Sequence, residues 1–490
     1  MKRDTVMKNS SVKLYYQHVT NTELVVGTIP DSITDLSFGP DYNKPINYIG
    51  LLPEHLTSLQ FGRDFNKPLE AFHLPQSITT LILGPGFKRS IEQGVIPSSL
   101  TKLSFVPNTE CIIKPGSLPE SLRSLQYWHE PVNPYTSLPS SLTELWFAPQ
   151  FNSALPTGWL PASLKELHFG QRFNQVIDYG VLPSSITRLT FGSGFSQSIN
   201  PGMLPQSLTA VTFNGHPTIT QMDSLPQSVV TLEVGGITRL SIKQLPSTIK
   251  SVAFIDQFNQ ALPPGLLCEG LTKLTFGAFF KQDIVPGMLP SSITELYLGF
   301  FYERMIKPGM IPTSLQKLVL GPKFNNEIKR FALPDSLTAL VFSEAFKQRV
   351  SFGVIPRSLK SLTLHHFDQV AQFESLDQYE SLESVHLVGK HTMGFVAPIT
   401  NKLRQVHVVS TTANPLEAKL AIVAIRKLAA NIPNVTECYC FHLYSKTNLM
   451  ESKRMLHRRI DNGIGLYIFE NTSSVITPRV VESVHILKEK

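Results

Sequence analysis

The sequence predicts a tandem-repeat solenoid built on a curved, parallel β-sheet, and three observations predict it. A frame of about 22 residues recurs along most of the 490-residue chain, three positions of that frame are apolar in every copy, and each copy returns with the same polarity. The frame is marked by a proline at Pro30, Pro53, Pro75, Pro97, Pro119, Pro139, Pro161, Pro183, Pro205, Pro226, Pro246, Pro290, Pro312, Pro334 and Pro356, with Cys268 in its place once, which gives 16 units.

The apolar positions lie three, six and eight residues after the marker: Leu164, Leu167 and Phe169 in one unit, Leu315, Leu318 and Leu320 in another. The last two alternate with outward residues, the period of a strand buried on one side. Strands of equal direction separated by so short a return must pair in parallel, and the return is too short for a full crossover helix. The expectation is a curved sheet of about 16 or more short strands with an outer wall of turns and 3₁₀ pieces.

The rest of the frame fits that reading. The marker proline supplies a fixed turn without a donor. Ser163, Ser185 and Ser314, two residues after it, are placed for local bonds to backbone groups. Gly39, Gly62, Gly84, Gly170 and Gly192 end the strand where the chain must turn. An aromatic four residues beyond the strand's last apolar position, such as Tyr42, Phe65, Phe173 or Phe324, fills the space behind the sheet.

The segments FNKPL (65–69), YNKPI (42–46), FNSAL (151–155), FNQVI (173–177), FNQAL (258–262) and FNNEI (324–328) follow LPxSLTxLxFG-type text. In this the chain resembles the FNIP-repeat family, a relative of the leucine-rich repeats. The resemblance implies a leucine-rich-repeat-like solenoid, a protein-interaction role and no catalytic residues. Some members carry an F-box before the repeats. The 29 residues before Pro30 lack its helical, leucine-rich pattern, so a ubiquitin-pathway substrate adaptor is the family-based alternative only. The motif's Asn stands in six units, while Lys88, Lys281 and Lys347 hold its place elsewhere, so no continuous buried asparagine ladder is expected.

Three regions are expected: an N-terminal cap over 1–29, the repeat solenoid over 30–377, and helix-bearing repeat-like units or a capping domain over 378–490. In the last, SLESVHL (381–387), KLRQVHV (402–408) and VVESVHI (480–486) read as further strands of the same frame. One helix is predicted from Asn414, as its cap, to Asn431, and a second over about 448–461, ending at Asn462-Gly463. The basic run Lys453, Arg454, His457, Arg458, Arg459 reads as a solvated face of that second helix. An alternative makes this region a separate effector domain served by the repeats as a recognition arm.

Charge and cysteine content narrow the function. The net charge of +7 includes no basic stripe in the repeats, which argues against a nucleic-acid partner. No apolar run suits a signal peptide or a membrane span, and four cysteines are too few for a disulfide framework, so a cytoplasmic setting is expected. Cys438, Cys440 and His442 alternate along a strand, but in the repeat frame both cysteines take core positions, and no metal or other cofactor is expected. His365, His366 and Asp368 cannot converge from one regular strand. No catalytic motif occurs, and the chain is expected not to be an enzyme.

What remains is a scaffold that binds an unidentified protein or peptide on the solenoid's concave face. The outward positions there include Glu144 and Trp146, Glu166 and His168, Arg188 and Thr190. Trp146 is the candidate anchor, flanked by His168 in one row and by Glu144, Glu166 and Arg188 in the next.

Overall fold

The computed structural model describes residues 21–106, 109, 111–127, 137–215, 224–235, 244–255, 257–365, 369, 372–373 and 379–388, and, as strands whose backbone alone is described, 13–16, 405–410, 439–444, 452–461, 464–472 and 481–488. It divides into two compact units, 1–248 and 249–490.

The first unit holds β1 (Lys13–Tyr16), β2 (Asp35–Phe38), β3 (Ser58–Gln60), β4 (Thr80–Leu83), β5 (Lys102–Phe105), β6 (Ser124–Tyr127), β7 (Glu144–Phe147), β8 (Glu166–His168), β9 (Arg188–Phe191), β10 (Ala210–Phe213) and β11 (Thr231–Val234). Each pairs in parallel with the next, and equivalent frame positions lie opposite one another: Leu145 with Leu167, and Leu167 with Leu189. The strand β1 extends the ladder before the first marker proline, with Leu14 opposite Leu36.

The second unit continues the pattern with β12 (Ser251–Phe254), β13 (Lys273–Thr275), β14 (Glu295–Tyr297), β15 (Lys317–Val319), β16 (Ala339–Val341) and β17 (Ser361–Leu364). Then come β18 (Ser384–Val388), β19 (Gln405–Ser410) and β20 (Tyr439–Tyr444), still parallel. The fold is therefore the expected repeat solenoid. Its last strands, β21 (Ser452–Asp461), β22 (Ile464–Thr472) and β23 (Val481–Lys488), form an antiparallel meander on β20.

Two C-terminal expectations are corrected. Residues 452–461 form β21, not a helix, because their backbone groups pair with strands on both sides. The basic residues therefore occupy successive strand positions instead of one helical face. Asn462-Gly463 separates the ends of β21 and β22, and Asn-Gly suits a two-residue hairpin as well as a helix stop. VVESVHI does lie mostly within a strand, but β23 runs antiparallel to β22 and is not another rung. The predicted helix from Asn414, together with Cys438, His366 and Asp368, lies outside the described residues. A third expectation is corrected on β20: Cys440 and His442 pair with His407 and Val409, while Phe441 takes the register of Val408, an inward position of the frame, so Cys440 stands one residue out of the core position the frame had given it.

The core follows from the frame. Leu164 and Leu167 are fully buried and Phe169 nearly so. Behind the strands the aromatics stand in two columns: Phe169 stacks on Phe173 at 3.9 Å, and Phe173 lies between Phe151 at 5.8 Å and Phe195 at 6.1 Å. Such pairs add about 0.5–1.5 kcal/mol each beyond burial, so one misplaced ring weakens two interfaces.

The polar letters of the frame tie rungs together. The marker carbonyl closes a turn, as where the Leu164 N–H donates to the Pro161 carbonyl at 3.0 Å. The serine acts between rungs instead of locally: the Ser163 hydroxyl donates to the Leu142 carbonyl at 2.6 Å, and Ser185 to Leu164 likewise. The motif asparagines do form a ladder, at the partly exposed rim. The Asn152 Oδ1 accepts the Asn174 N–H at 2.8 Å, and the Asn174 Oδ1 accepts the Ser196 N–H at 2.9 Å. A lysine can follow because the ladder uses only its backbone: the Lys281 N–H donates to the Asn259 Oδ1, while its exposed side chain reaches over the Phe301 ring, 5.2 Å from the centroid.

The strand-ending glycines serve close approach. A Cβ on Gly62 would lie 2.0 Å from the Gly39 carbonyl oxygen, and one on Gly192 1.9 Å from that of Gly170. A different row, including Gly158 (φ 79°) and Gly202 (φ 82°), supplies left-handed backbone.

Candidate functional site

The outward positions of β7, β8 and β9 stand side by side as the register requires. Glu144, Glu166 and Arg188 form one row, and Trp146, His168 and Thr190 the next. All five residues singled out from the sequence are thus brought together on one patch of the first unit.

Trp146 is 37% exposed, yet its ring is held on two sides. It stacks on the His168 imidazole, with centroids 3.5 Å apart and planes within 8°. Its indole Nε1–H donates to the Glu144 Oε1 at 2.5 Å. Glu166 sits between His168 and Arg188: its Oε1 lies 3.5 Å from the Arg188 Nε, and its Oε2 lies 4.0 Å from the His168 Nε2.

Beneath the indole, His168 is mostly covered. Burial pushes its pKa down to about 4, with Arg188 adding to the shift and Glu144 opposing it. The imidazole is therefore neutral at pH 7, and its Nε2 is buried without a hydrogen-bond partner. One oxygen each from Glu144 and Glu166 and one His168 nitrogen lie within 4.8 Å of one another, a donor set suited to a transition metal. The Arg188 guanidinium beside Glu166 already competes for that charge.

A pH effect follows. Since the folded pKa of His168 lies below its unfolded value of 6.5, neutral packing stabilises the protein fully above about pH 6.5. That stability should fall as the pH drops toward about 4, where the folded state also protonates. Denaturant midpoints measured across this window should decline less in His168→Asn than in the unaltered protein. Parallel curves would show that His168 does not titrate as its burial requires.

The depth of His168 was not visible in the sequence, because alternation assigns a face and says nothing of a neighbouring indole folding over it. A second cluster forms on other outward positions of the frame. In the other unit the Tyr297 hydroxyl donates to the Glu295 Oε2 at 2.8 Å, while the Lys273 and Lys317 ammonium groups lie 5.1 and 5.2 Å from its ring centroid. The signal was present as an aromatic in the outward row with a lysine on the strand at either side.

Nothing in these clusters resembles an activated nucleophile. Cys111 and Cys268 are buried free thiols whose pKa values burial raises, that of Cys111 to about 12, the reverse of activation. Among the described residues no helix is long and apolar enough to cross a membrane.

The FNIP Repeat family model matches residues 21–64, 65–108, 87–127, 133–172, 151–194, 173–216, 258–301, 302–345 and 324–367, more than half of the chain. The chain belongs to the FNIP-repeat family. Among solved structures it is similar to CroV588, a circular LRR protein, at 33% identity with a TM-score of 0.60. That match covers 79% of this chain, and the chain spans 58% of the length of CroV588. A leucine-rich repeat protein from Bacteroides ovatus matches at 13% identity over 73% of this chain and 84% of its own, with a TM-score of 0.15, too low to bear on the fold. No curated protein matches. The FNIP-repeat solenoid is thereby placed among leucine-rich-repeat folds, where repetition builds surface.

Proposed function

We propose that this FNIP-repeat protein is a non-catalytic interaction scaffold that binds a protein or peptide across the outward face of β7–β9. The observation that carries this reading is the state of Trp146. A large ring is left more than a third exposed while a stack and a hydrogen bond fix its orientation. An aromatic anchor ordered before binding loses little entropy on capture, and such anchors carry a disproportionate share of interface energy. Glu144, Glu166 and Arg188 then orient the partner. A reducing, cytoplasmic setting belongs to the same reading, since the buried Cys111 and Cys268 are free thiols.

A partner isolated on the unaltered protein should bind Trp146→Ala about thirtyfold more weakly, corresponding to about 2 kcal/mol. Loss of the indole–imidazole stack should cost the fold only about 1 kcal/mol. Titration of the captured partner, alongside thermal melting, separates the two effects. Unchanged affinity with a large fall in melting temperature would make Trp146 a packing residue and remove this site.

A further inference from the structure

A different surface carries a second reading. In rung after rung one turn passes through left-handed backbone, and glycine fills it, as at Gly50, Gly94, Gly287 and Gly309. Among the described residues two rungs differ. Phe72 (φ 68°) and Phe331 (φ 65°) adopt the same conformation with a side chain attached. For a phenylalanine that geometry is strained, and the rings are 71% and 78% exposed. The glycines in neighbouring rungs show that the turn needs no ring. Backbone strain of this kind clusters at sites of binding and switching, and here it coincides with an exposed apolar ring.

One row of the turn carries opposite charge at the two phenylalanines. Tyr48 and Ile49, on the rung before Phe72, are 64% and 76% exposed, and a recess there is lined by Ile49, Leu52, Glu54, Phe72 and His73. Two residues before the left-handed position stand Glu70 in this rung and Glu92 in the next, both exposed. The same position holds Lys329 in the Phe331 rung and Lys307 in the rung before it, again exposed. The Arg330 guanidinium lies over the Phe331 ring, 5.5 Å from its centroid. One edge thus sets Glu54, Glu70 and Glu92 around an apolar recess, and the other sets Lys307, Lys329 and Arg330 around an exposed ring.

We propose that the chain associates head to tail with a second copy of itself. The Phe331 edge of one copy, with Lys307, Lys329 and Arg330, docks on the Phe72 edge of the next, with Glu54, Glu70 and Glu92. Complementary charge carried on one polypeptide, beside two exposed apolar rings, selects a second copy as the occupant. Because the two edges differ, the contact is heterologous. Each added copy leaves one edge of each kind free, so assembly continues past the dimer or closes as a ring. The attraction between exposed charges weakens with salt.

Sedimentation velocity of the full chain at low ionic strength should show species larger than a dimer, growing with concentration and shrinking as salt is added. Phe72→Gly and Phe331→Gly should each be monomeric yet melt no lower than the unaltered protein, since glycine relieves the left-handed strain. Phe72→Asn and Phe331→Asn, which also suit that backbone, should behave alike and guard against a folding defect in either glycine variant. Mixed in equal amounts, Phe72→Gly and Phe331→Gly should form a one-to-one dimer and stop, one supplying the intact basic edge and the other the intact acidic edge. A wild-type chain that stays monomeric at every concentration overturns the proposal. So does a Phe331→Gly protein that still self-associates, which would mean pairing of like edges, and so does a mixture that forms no heterodimer.

Discussion

Leu167→Asp is expected to unfold the rungs around β8. The leucine is fully buried between Leu145 and Leu189 in the parallel ladder, so its loss removes apolar burial worth about 1.5–3 kcal/mol. A carboxylate left there meets no cation, and its desolvation brings the total to roughly 5 kcal/mol or more. In a stacked array each rung is held by its nearest neighbours, so the damage should stay near the substitution. Amide exchange should show lost protection at β7, β8 and β9 and retained protection at β2 and β3. Lys165→Asp, at the exposed position two residues earlier, should change stability by less than about 0.5 kcal/mol. Equal tolerance of both changes would contradict the register on which the candidate site depends.

The contrast between Leu167 and Glu166 was legible in the sequence because period-two alternation is a direct consequence of backbone geometry. The aromatic columns were legible for a similar reason: a fixed spacing repeated in register must stack. Roles that depend on the adjacent rung were harder to read. Ser163 was read as a local cap, but its partner is Leu142, 21 residues away. The asparagine ladder looked broken wherever lysine replaced Asn, because letters show side chains while Lys281 takes part through its backbone N–H. Residues 452–461 failed differently. Lys453, Arg454, His457, Arg458 and Arg459 have no clear period, and Asn-Gly ends helices and hairpins alike, so pairing with β20 and β22 decided the outcome. At the candidate site, the sequence placed five residues on one patch. It could not show that Trp146 would cover His168 and leave it neutral, since that depends on how one ring lies across the neighbouring strand.

Gly170→Ala should be nearly as damaging as the core substitution, although only one methyl group is added. A Cβ at Gly170 would lie 1.5 Å from the Ala148 carbonyl oxygen and 2.5 Å from its carbon, far inside a normal contact of about 3.3 Å. Both atoms are backbone, so no side chain can rotate away. Relief requires β7 and β8 to move apart where the Leu145–Leu167 stack and the Phe151–Phe173 pair hold them together. The cost should exceed about 3 kcal/mol, the upper end for an overpacked core. Gly158→Ala provides the comparison: no atom lies within 4 Å of its Cβ, and only the left-handed φ of 79° resists the change. That conformation costs an L-residue about 1–2 kcal/mol, partly offset because alanine has less freedom than glycine to lose on folding. Denaturant midpoints should therefore rank Gly170→Ala well below Gly158→Ala. If the two fell together, the strand-ending glycines would serve only the freedom of the turn, and the spacing of the rungs would have to be set by the stacked apolar residues alone.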